Sequence, residues 1–181
     1  MNDKNNVCAA KSSGADPMND ARLGAARQRL AESRDQEDAI EGLREVVANF
    51  LGSEEIGLFQ VDRRTGTFQI YWSFGIHLDK YDLLRALGDT GLQCVMRGEC
   101  FVERAARDRS GAMAKAQVFV PIRAANQTIA ILVIFRLLPQ KVAFDDSDME
   151  LCKLLSDEAA KPLFGPGAHS TAATEGPGMR A

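Results

Sequence analysis

Seven consecutive apolar residues, Ile129 to Phe135, constrain the fold of this 181-residue chain more than any other feature. β-Branched and aromatic side chains dominate the run, which indicates a strand, and both alternating sets of positions are apolar. A strand of this kind is buried on both faces, so its sheet needs a covering layer on each side. The run is much shorter than the roughly 20 residues of a membrane-spanning helix.

Four further segments have the composition of strands. The turn Asp62–Gly66 joins the first two of these segments. The tetrapeptide 124–127 joins the fourth segment to the apolar run, so two hairpins are predicted. Simple alternation in the second strand places Phe68, Ile70 and Trp72 on one face and Tyr71 on the other. The predicted strands are residues 56–61, 67–74, 100–103, 116–123 and 128–137.

Helical patterns flank and separate these hairpins. Residues 20–51 are predicted to be helical, with a new helix starting at the capping box Ser33–Gln36 and stopping at Gly52. A second capping box, Ser147–Glu150, predicts the start of a last helix, which Pro162 should end. Between the hairpins, residues 79–87 and then the glycine-punctuated stretch 88–96 are predicted to be short helices.

The order of these elements predicts an α+β sandwich with a central antiparallel sheet. The crossover between the hairpins, residues 76–114, should cover one face, and the terminal helices should cover the other. One domain is expected over residues 19–164. Residues 1–18 and 165–181 are rich in polar residues, glycine and proline, and we expect them to be disordered tails.

The overall charge balance excludes some classes of function. The chain has 22 Lys and Arg against 25 Asp and Glu, a net charge of −3, and 45% of its residues are hydrophobic. It therefore lacks both the composition of a globally disordered protein and the basic footprint expected of a nucleic-acid-binding domain. With no long apolar stretch either, we expect neither a nucleic-acid partner nor a membrane segment.

The cysteines and histidines do not have metal-ligand spacing. No two of the four cysteines, Cys8, Cys94, Cys100 and Cys152, are in a CxxC arrangement, and the only histidines are His77 and His169. A zinc site normally contains close ligand pairs, so none is predicted. Because no apolar stretch follows the start of the chain, we expect reduced thiols in a cytoplasmic protein.

Taken in order, several short segments resemble the GAF domain family over about residues 35–164. They comprise the amphipathic helix 40–51, the DRRTG turn, Gly88-Asp89-Thr90-Gly91-Leu92, the segment from Arg97 to Val102, the strand Val118-Phe119-Val120-Pro121-Ile122, the strand 129–134, and Phe144 with Asp148 at the entry to the last helix. The resemblance implies a sheet of about six antiparallel strands, with the terminal helices on one face and a ligand pocket under the crossover on the other.

Members of the GAF family bind cyclic nucleotides, tetrapyrroles, small metabolites or partner proteins, and many dimerise through their terminal helices. This sequence lacks the Asn-Lys signature of the cyclic-nucleotide subset before Phe144, and no histidine stands beside Cys94 or Cys100 as a bilin adduct requires. The resemblance therefore implies a non-enzymatic sensory or regulatory module in signal transduction. We expect a homodimer that acts in trans on an unidentified signalling protein, with no cofactor identified.

Aromatic and polar residues around the expected pocket are the candidate ligand contacts. Strand aromatics can stack on a planar ligand but equally serve as core, and a histidine at a strand end is either a pH-sensitive contact or a surface group. The arginines 104, 107 and 109 are predicted to lie in a solvated loop. The ligand-binding candidates are Trp72, Phe74, His77, Cys94, Phe101 and Phe119.

Two alternative functions remain open at this point. Cys94 and Cys100 lie six residues apart in the crossover, and free methionine-R-sulfoxide reductases of the GAF family use crossover cysteines as a redox pair. The thiolate chemistry would benefit from the neighbouring Arg97. The other alternative is a ligand-free scaffold for protein contacts, whose pocket is filled by Leu92, Met96 and Phe101.

Overall fold

The apolar run forms the central strand of the sheet in a computed structural model that describes residues 16–62, 64–79, 81–103, 118–138, 141 and 144–165. The strands are β1 (Glu55–Asp62), β2 (Thr67–Phe74), β3 (Phe101–Val102), β4 (Val118–Ala124) and β5 (Gln127–Arg136). The helices are α1 (Pro17–Ala31), α2 (Gln36–Val46), α3 (Leu83–Met96), α4 (Asp146–Glu158) and α5 (Ala160–Phe164), and a π-helical turn, Val47–Leu51, extends α2.

The sheet has the order β2-β1-β5-β4-β3, and its pairs are antiparallel. The two predicted hairpins, β1–β2 and β4–β5, are confirmed. The described residues form five strands rather than the six implied by the family resemblance. β2 and β3 are the edge strands.

Both faces of β5 are buried, as its sequence predicts. Residues 130–134 are 0% exposed and Phe135 is 1% exposed. Alternate residues enter two separate hydrophobic clusters. The terminal-helix core lies between the sheet and α1, α2, α4 and α5, and its largest residues include Leu43, Leu58, Leu132 and Leu155. The crossover core lies beneath α3 and consists of Phe59, Leu78, Leu83, Leu87, Val95, Phe119, Ile131, Val133 and Phe135.

A β-bulge in β2 overturns the simple alternation predicted for that strand. Leu58 pairs with Trp72 and Phe59 pairs with Ile70, so Tyr71 is an extra residue without a partner position in β1. Beyond Tyr71 the side chains change faces. Phe68 packs against the crossover core, whereas Tyr71 and Trp72 both pack against the terminal-helix core.

Aspartates, rather than the predicted serines, cap the helices. Asp35 accepts from the amide of Asp38 at 2.9 Å and starts α2, two residues after the predicted cap Ser33. Asp145 and Asp148 form the capping box of α4. In both cases a carboxylate stands at the N-cap position, where it also complements the positive end of the helix dipole.

Glycines end and interrupt the helices. Gly52 ends the π-helical turn with φ of +68°, which confirms the predicted stop. The two predicted crossover helices are the two segments of α3, which starts at Leu83 behind the cap Asp82 and is interrupted at Gly88. This helix is kinked at Gly88, where φ is +58° and ψ is −176°. That conformation is essentially restricted to glycine.

The chain ends and part of the crossover lie outside the described residues. The first helix starts at Pro17, three residues before the predicted start, because Asp16 accepts from the amide of Met18. The expectations for residues 1–15, for the arginines 104, 107 and 109 and for residues 166–181 concern residues that the structure does not describe. In the described part of the chain, no helix has the length and apolar character to cross a membrane.

Candidate functional site

A cavity of about 410 Å³ opens between α3 and the end of the sheet that carries both hairpin turns. It lies on the crossover side, at the margin of the crossover core. Strands, turns and helix all contribute to its lining, and the lining residues that the structure describes are Val61, Gly66, Phe68, Leu84, Leu92, Met96, Asn126, Gln127 and Thr128.

One wall of the cavity comes from α3. Leu84 precedes the kink at Gly88, whereas Leu92 and Met96 follow it. The cavity wall therefore spans two helical segments that meet at a single non-helical residue. Leu84 is 46% exposed and Met96 is 47% exposed, so large apolar side chains stand at the cavity mouth.

The opposite wall comes from the β1–β2 hairpin. Val61 and Phe68 are paired across the two strands, and both line the cavity. Asp62 fixes the turn by accepting from the amides of Arg64 and Thr65. A hydrogen bond from the Thr65 side chain, and then these two amides, lower the pKa of its carboxyl group. Gly66 completes the turn with φ of +69°.

The β4–β5 hairpin contributes the polar residues of the cavity lining. Ala125 and Asn126 both have positive φ, 48° and 62°, as a tight two-residue hairpin turn requires. Next to them, the buried Thr128 hydroxyl donates to the carbonyl oxygen of Val95 at 2.6 Å. This bond ties the second segment of α3 to β5. The side-chain carbonyl of Asn126 accepts from Arg123 at 3.3 Å.

Two of the predicted ligand contacts, Phe101 and Phe119, fill the space beneath α3. Their ring centroids are 5.9 Å apart, and Phe119 is 0% exposed. A Cβ atom placed on Gly91 would lie 2.9 Å from the Phe101 ring, so helix and ring are in close contact. The centre of the crossover face is therefore packed, and the cavity opens beside it.

Trp72 and Phe74 lie on the opposite side of the sheet from this cavity. The bulge at Tyr71 turns Trp72 towards the terminal-helix core, and its ring stacks with that of Phe74 at 6.3 Å between centroids. The guanidinium of Arg44 on α2 lies 4.7 Å from the centroid of Phe74. His77 is exposed after β2 and does not line the cavity.

The two cysteines of the redox alternative are both free thiols and lie in different surroundings. Cys94 is half-buried on α3, whereas Cys100 packs against the terminal-helix core. Burial, with a smaller contribution from Asp157, raises the pKa of Cys100 to about 12. Burial also raises the pKa of Cys152, and Cys100 contributes to that shift. Cys100 is therefore a protonated thiol at neutral pH, which opposes nucleophilic attack.

No group of three or more His, Cys, Asp or Glu in the described part of the chain is arranged to hold a metal ion. The sequence singled out Leu92 and Met96 only as side chains that fill a pocket, and it missed the other lining residues. Leu84, Leu92 and Met96 recur at helical spacing and so indicated one face of α3. Nothing in their spacing indicated that this face stands partly open.

Comparisons with known proteins identify the fold. No protein-family model and no curated protein sequence matches this chain. The GAF domain of a phosphoenolpyruvate-protein phosphotransferase from Coxiella burnetii is similar at a TM-score of 0.58 and 19% identity, covering 80% of this chain and 92% of that one. The corresponding Acinetobacter domain has a TM-score of 0.53 and 20% identity, covering 81% and 95%.

A third solved structure comes from a methyl-accepting chemotaxis protein, residues 122 to 287. It has a TM-score of 0.53 and 16% identity, and the match covers 76% of this chain and 94% of that one. These identities establish the fold alone. Together with the antiparallel five-stranded sheet, the terminal helices on one face and the helical crossover on the other, they show that this chain is a GAF-like domain.

Proposed function

We propose that this GAF-like domain is a non-enzymatic sensory or regulatory module that binds a small ligand in the cavity beside α3. The observation that carries the proposal is the cavity itself, whose wall includes residues from both segments of the kinked helix. Its volume of about 410 Å³ lies within the range of about 300–1,000 Å³ typical of small-molecule sites. The similar structures come from a chemotaxis protein and phosphotransferase proteins, which supports a regulatory role.

Differential binding is the proposed mechanism. Thr128 anchors the second segment of α3 to β5, whereas Leu84 belongs to the segment before Gly88. A ligand in contact with both segments favours the arrangement in which the two walls enclose it. The ligand shifts the helix only by its difference in affinity for the two arrangements. Partner proteins then recognise the altered crossover surface, so the domain acts in trans.

Dimerisation through the terminal helices and a cytoplasmic location remain predictions. Among large apolar residues of the described chain, five are exposed: Met18, Ile70, Phe74, Leu84 and Met96. Only Met18 lies on a terminal helix. Light scattering of the wild type and of Met18→Glu tests the interface: a dimer that dissociates in the variant supports it, and a monomeric wild type contradicts it.

Native mass spectrometry tests ligand binding directly. The protein is incubated with a small-molecule extract of the source cells, and intact masses are recorded for the wild type, Leu92→Trp and Met18→Trp. The larger indole in Leu92→Trp should occupy the cavity, whereas Met18 is 80% exposed on α1 and serves as the control.

A bound small molecule should appear on the wild type and the Met18→Trp control and should be absent from Leu92→Trp. Retention of the added mass in Leu92→Trp would place the ligand elsewhere. No added mass on the wild type would favour the ligand-free scaffold, in which the domain works through protein contacts alone. The packed rings of Phe101 and Phe119 favour that alternative.

A further inference from the structure

None of the described residues that line the cavity is ionisable. Its apolar residues are Val61, Phe68, Leu84, Leu92 and Met96, and its polar residues are Asn126, Gln127 and Thr128, with Gly66 completing the set. Neither a carboxylate nor a cation is among them. The charged residues of α3, Arg85 and Asp89, and its C-cap residue Arg97 are exposed and are not among the lining residues.

Two charged side chains of the adjoining turns and strands, Asp62 and Arg123, already have partners, and Arg64 is exposed and is not among the lining residues. Asp62 accepts from two backbone amides of its own turn. Arg123 donates to Asp157 at 3.2 Å and to Asn126 at 3.3 Å. An ionised ligand entering this cavity would lose water without gaining a charged partner from the described lining residues, and that loss disfavours binding.

The distribution of polar atoms further restricts the ligand. Amide side chains from Asn126 and Gln127 are found on one side only, that of the β4–β5 turn, whereas the α3 wall is built from two leucines and a methionine. The thioether of Met96 adapts readily to different apolar shapes. This asymmetry fits a molecule with one polar edge and an apolar body.

From this arrangement we infer that the ligand class of the cavity is an uncharged, mainly apolar small molecule with a single hydrogen-bonding edge. The inference rests on the proposed function, because it assigns chemistry to the same cavity. It excludes anionic ligands such as nucleotides from this site. The polar edge meets the β4–β5 turn, and the apolar body packs between α3 and the β1–β2 hairpin.

Two probes that share a naphthalene body test the inference at pH 7: neutral 1-naphthol and anionic 1-naphthalenesulfonate. Titration calorimetry gives the affinities, and amide chemical shifts locate the binding site. The expected result is saturable binding of 1-naphthol with shifts centred on Leu92, Met96 and Phe68, and at least tenfold weaker binding of the sulfonate. Equal or tighter binding of the sulfonate at these residues would overturn the ligand class while leaving the proposed function intact.

Substitution at the cavity mouth provides the matched variants. Met96 is 47% exposed, so Met96→Lys and Met96→Leu should both fold. Met96→Lys should raise the sulfonate affinity at least tenfold, whereas Met96→Leu should preserve the wild-type preference. An unchanged preference in Met96→Lys contradicts the inference. If neither probe binds at the cavity in any variant, the inferred ligand class fails, whereas the native mass spectra of the wild type and Leu92→Trp decide the proposed function separately.

Discussion

The guanidinium of Arg22 on α1 donates a 2.6 Å hydrogen bond to the carboxylate of Asp148, a side chain that is 0% exposed in the first turn of α4. Lys141 approaches the same oxygen at 2.6 Å, and the second oxygen accepts from the amide of Asp145. Arg22 also donates to the carbonyl of Phe50 at 2.7 Å. The buried ion pair of Arg22 and Asp148 therefore joins the first helix, the end of the π-helical turn and the last long helix.

Asp148→Asn should strongly destabilise the fold. The amide keeps the shape of the side chain but removes the charge that compensates Arg22 and Lys141, which are only 19% and 21% exposed. Removing one partner from such an arrangement costs about 3 kcal/mol. The exposed Asp146→Asn in the same turn is the control and should cost less than about 1 kcal/mol. Urea unfolding measures both changes, and equal losses would contradict the prediction.

Alanine at Gly88 and at Gly24 should have opposite effects on stability. A Cβ atom added at either position would have open space within 4 Å, so the two positions differ mainly in backbone conformation. Gly88 has φ of +58°, and Gly88→Ala should cost about 1–3 kcal/mol. Gly24 lies within α1, and Gly24→Ala should add about 0.5–1 kcal/mol. Thermal unfolding of the two variants checks the signs, and stabilisation by Gly88→Ala would argue against the kink.

Thr128→Val should loosen α3 and weaken the fold. The substitution removes the hydroxyl that donates to the carbonyl of Val95 at 2.6 Å and leaves a buried acceptor without this donor. The amide of Gly98 still donates to that carbonyl at 3.1 Å, so the expected loss is that of one hydrogen bond, about 0.5–1.5 kcal/mol. Hydrogen exchange should rise in residues 89–96, and Thr128→Ser, which retains the hydroxyl, should show less exchange there than Thr128→Val. Identical exchange in the two variants would show that the hydroxyl does not anchor the helix.

The buried thiols should make the fold less stable in alkaline solution. The pKa of Cys100 is raised from an ordinary value of 9.0 to about 12, so the folded chain keeps a proton that the unfolded chain releases. The contribution of the protonated Cys100 thiol to the free energy of unfolding is therefore present below about pH 9 and is lost as the pH rises from 9 towards 12. The urea midpoint should fall over this range, less steeply in Cys100→Ala than in the wild type.

Chemical labelling provides an independent check on the same thiols. Iodoacetamide at pH 8 should leave Cys100 and Cys152 unmodified in the folded protein and should modify both in urea, because protonated, buried thiols react slowly. Peptide mass spectrometry assigns the labelled positions. Rapid labelling of Cys100 in the folded protein would restore the redox alternative.

Hydrophobic patterns were sufficient to predict the layers of this fold. The run from Ile129 to Phe135 required a sheet buried on both faces, and the residues at Asp62–Gly66 and 124–127 located both hairpins. Helix starts were less accurate, because Ser33 and its neighbour Asp35 are both good caps. The choice between them depends on which carboxylate or hydroxyl reaches a free amide in three dimensions.

The candidate site was harder to predict from sequence because it depends on where packing stops. Phe101 and Phe119 are the right kind of residue for a pocket under the crossover, but their rings contact each other and close that space. Leu84 and Met96 resemble ordinary core positions on a helix, yet each is nearly half exposed. The difference arises from the relative placement of α3 and the β1–β2 hairpin, which no single residue determines.

The extra residue at Tyr71 has a consequence for comparisons between this sheet and others. Because Trp72 and Phe74 follow it, their layer is set by one inserted position and not by their spacing from Phe68. In a relative whose equivalent strand lacks the insertion, an aromatic residue aligned with Trp72 without a gap would belong to the other layer. The sequence of such a relative must therefore be aligned to this strand with a one-residue gap at Tyr71.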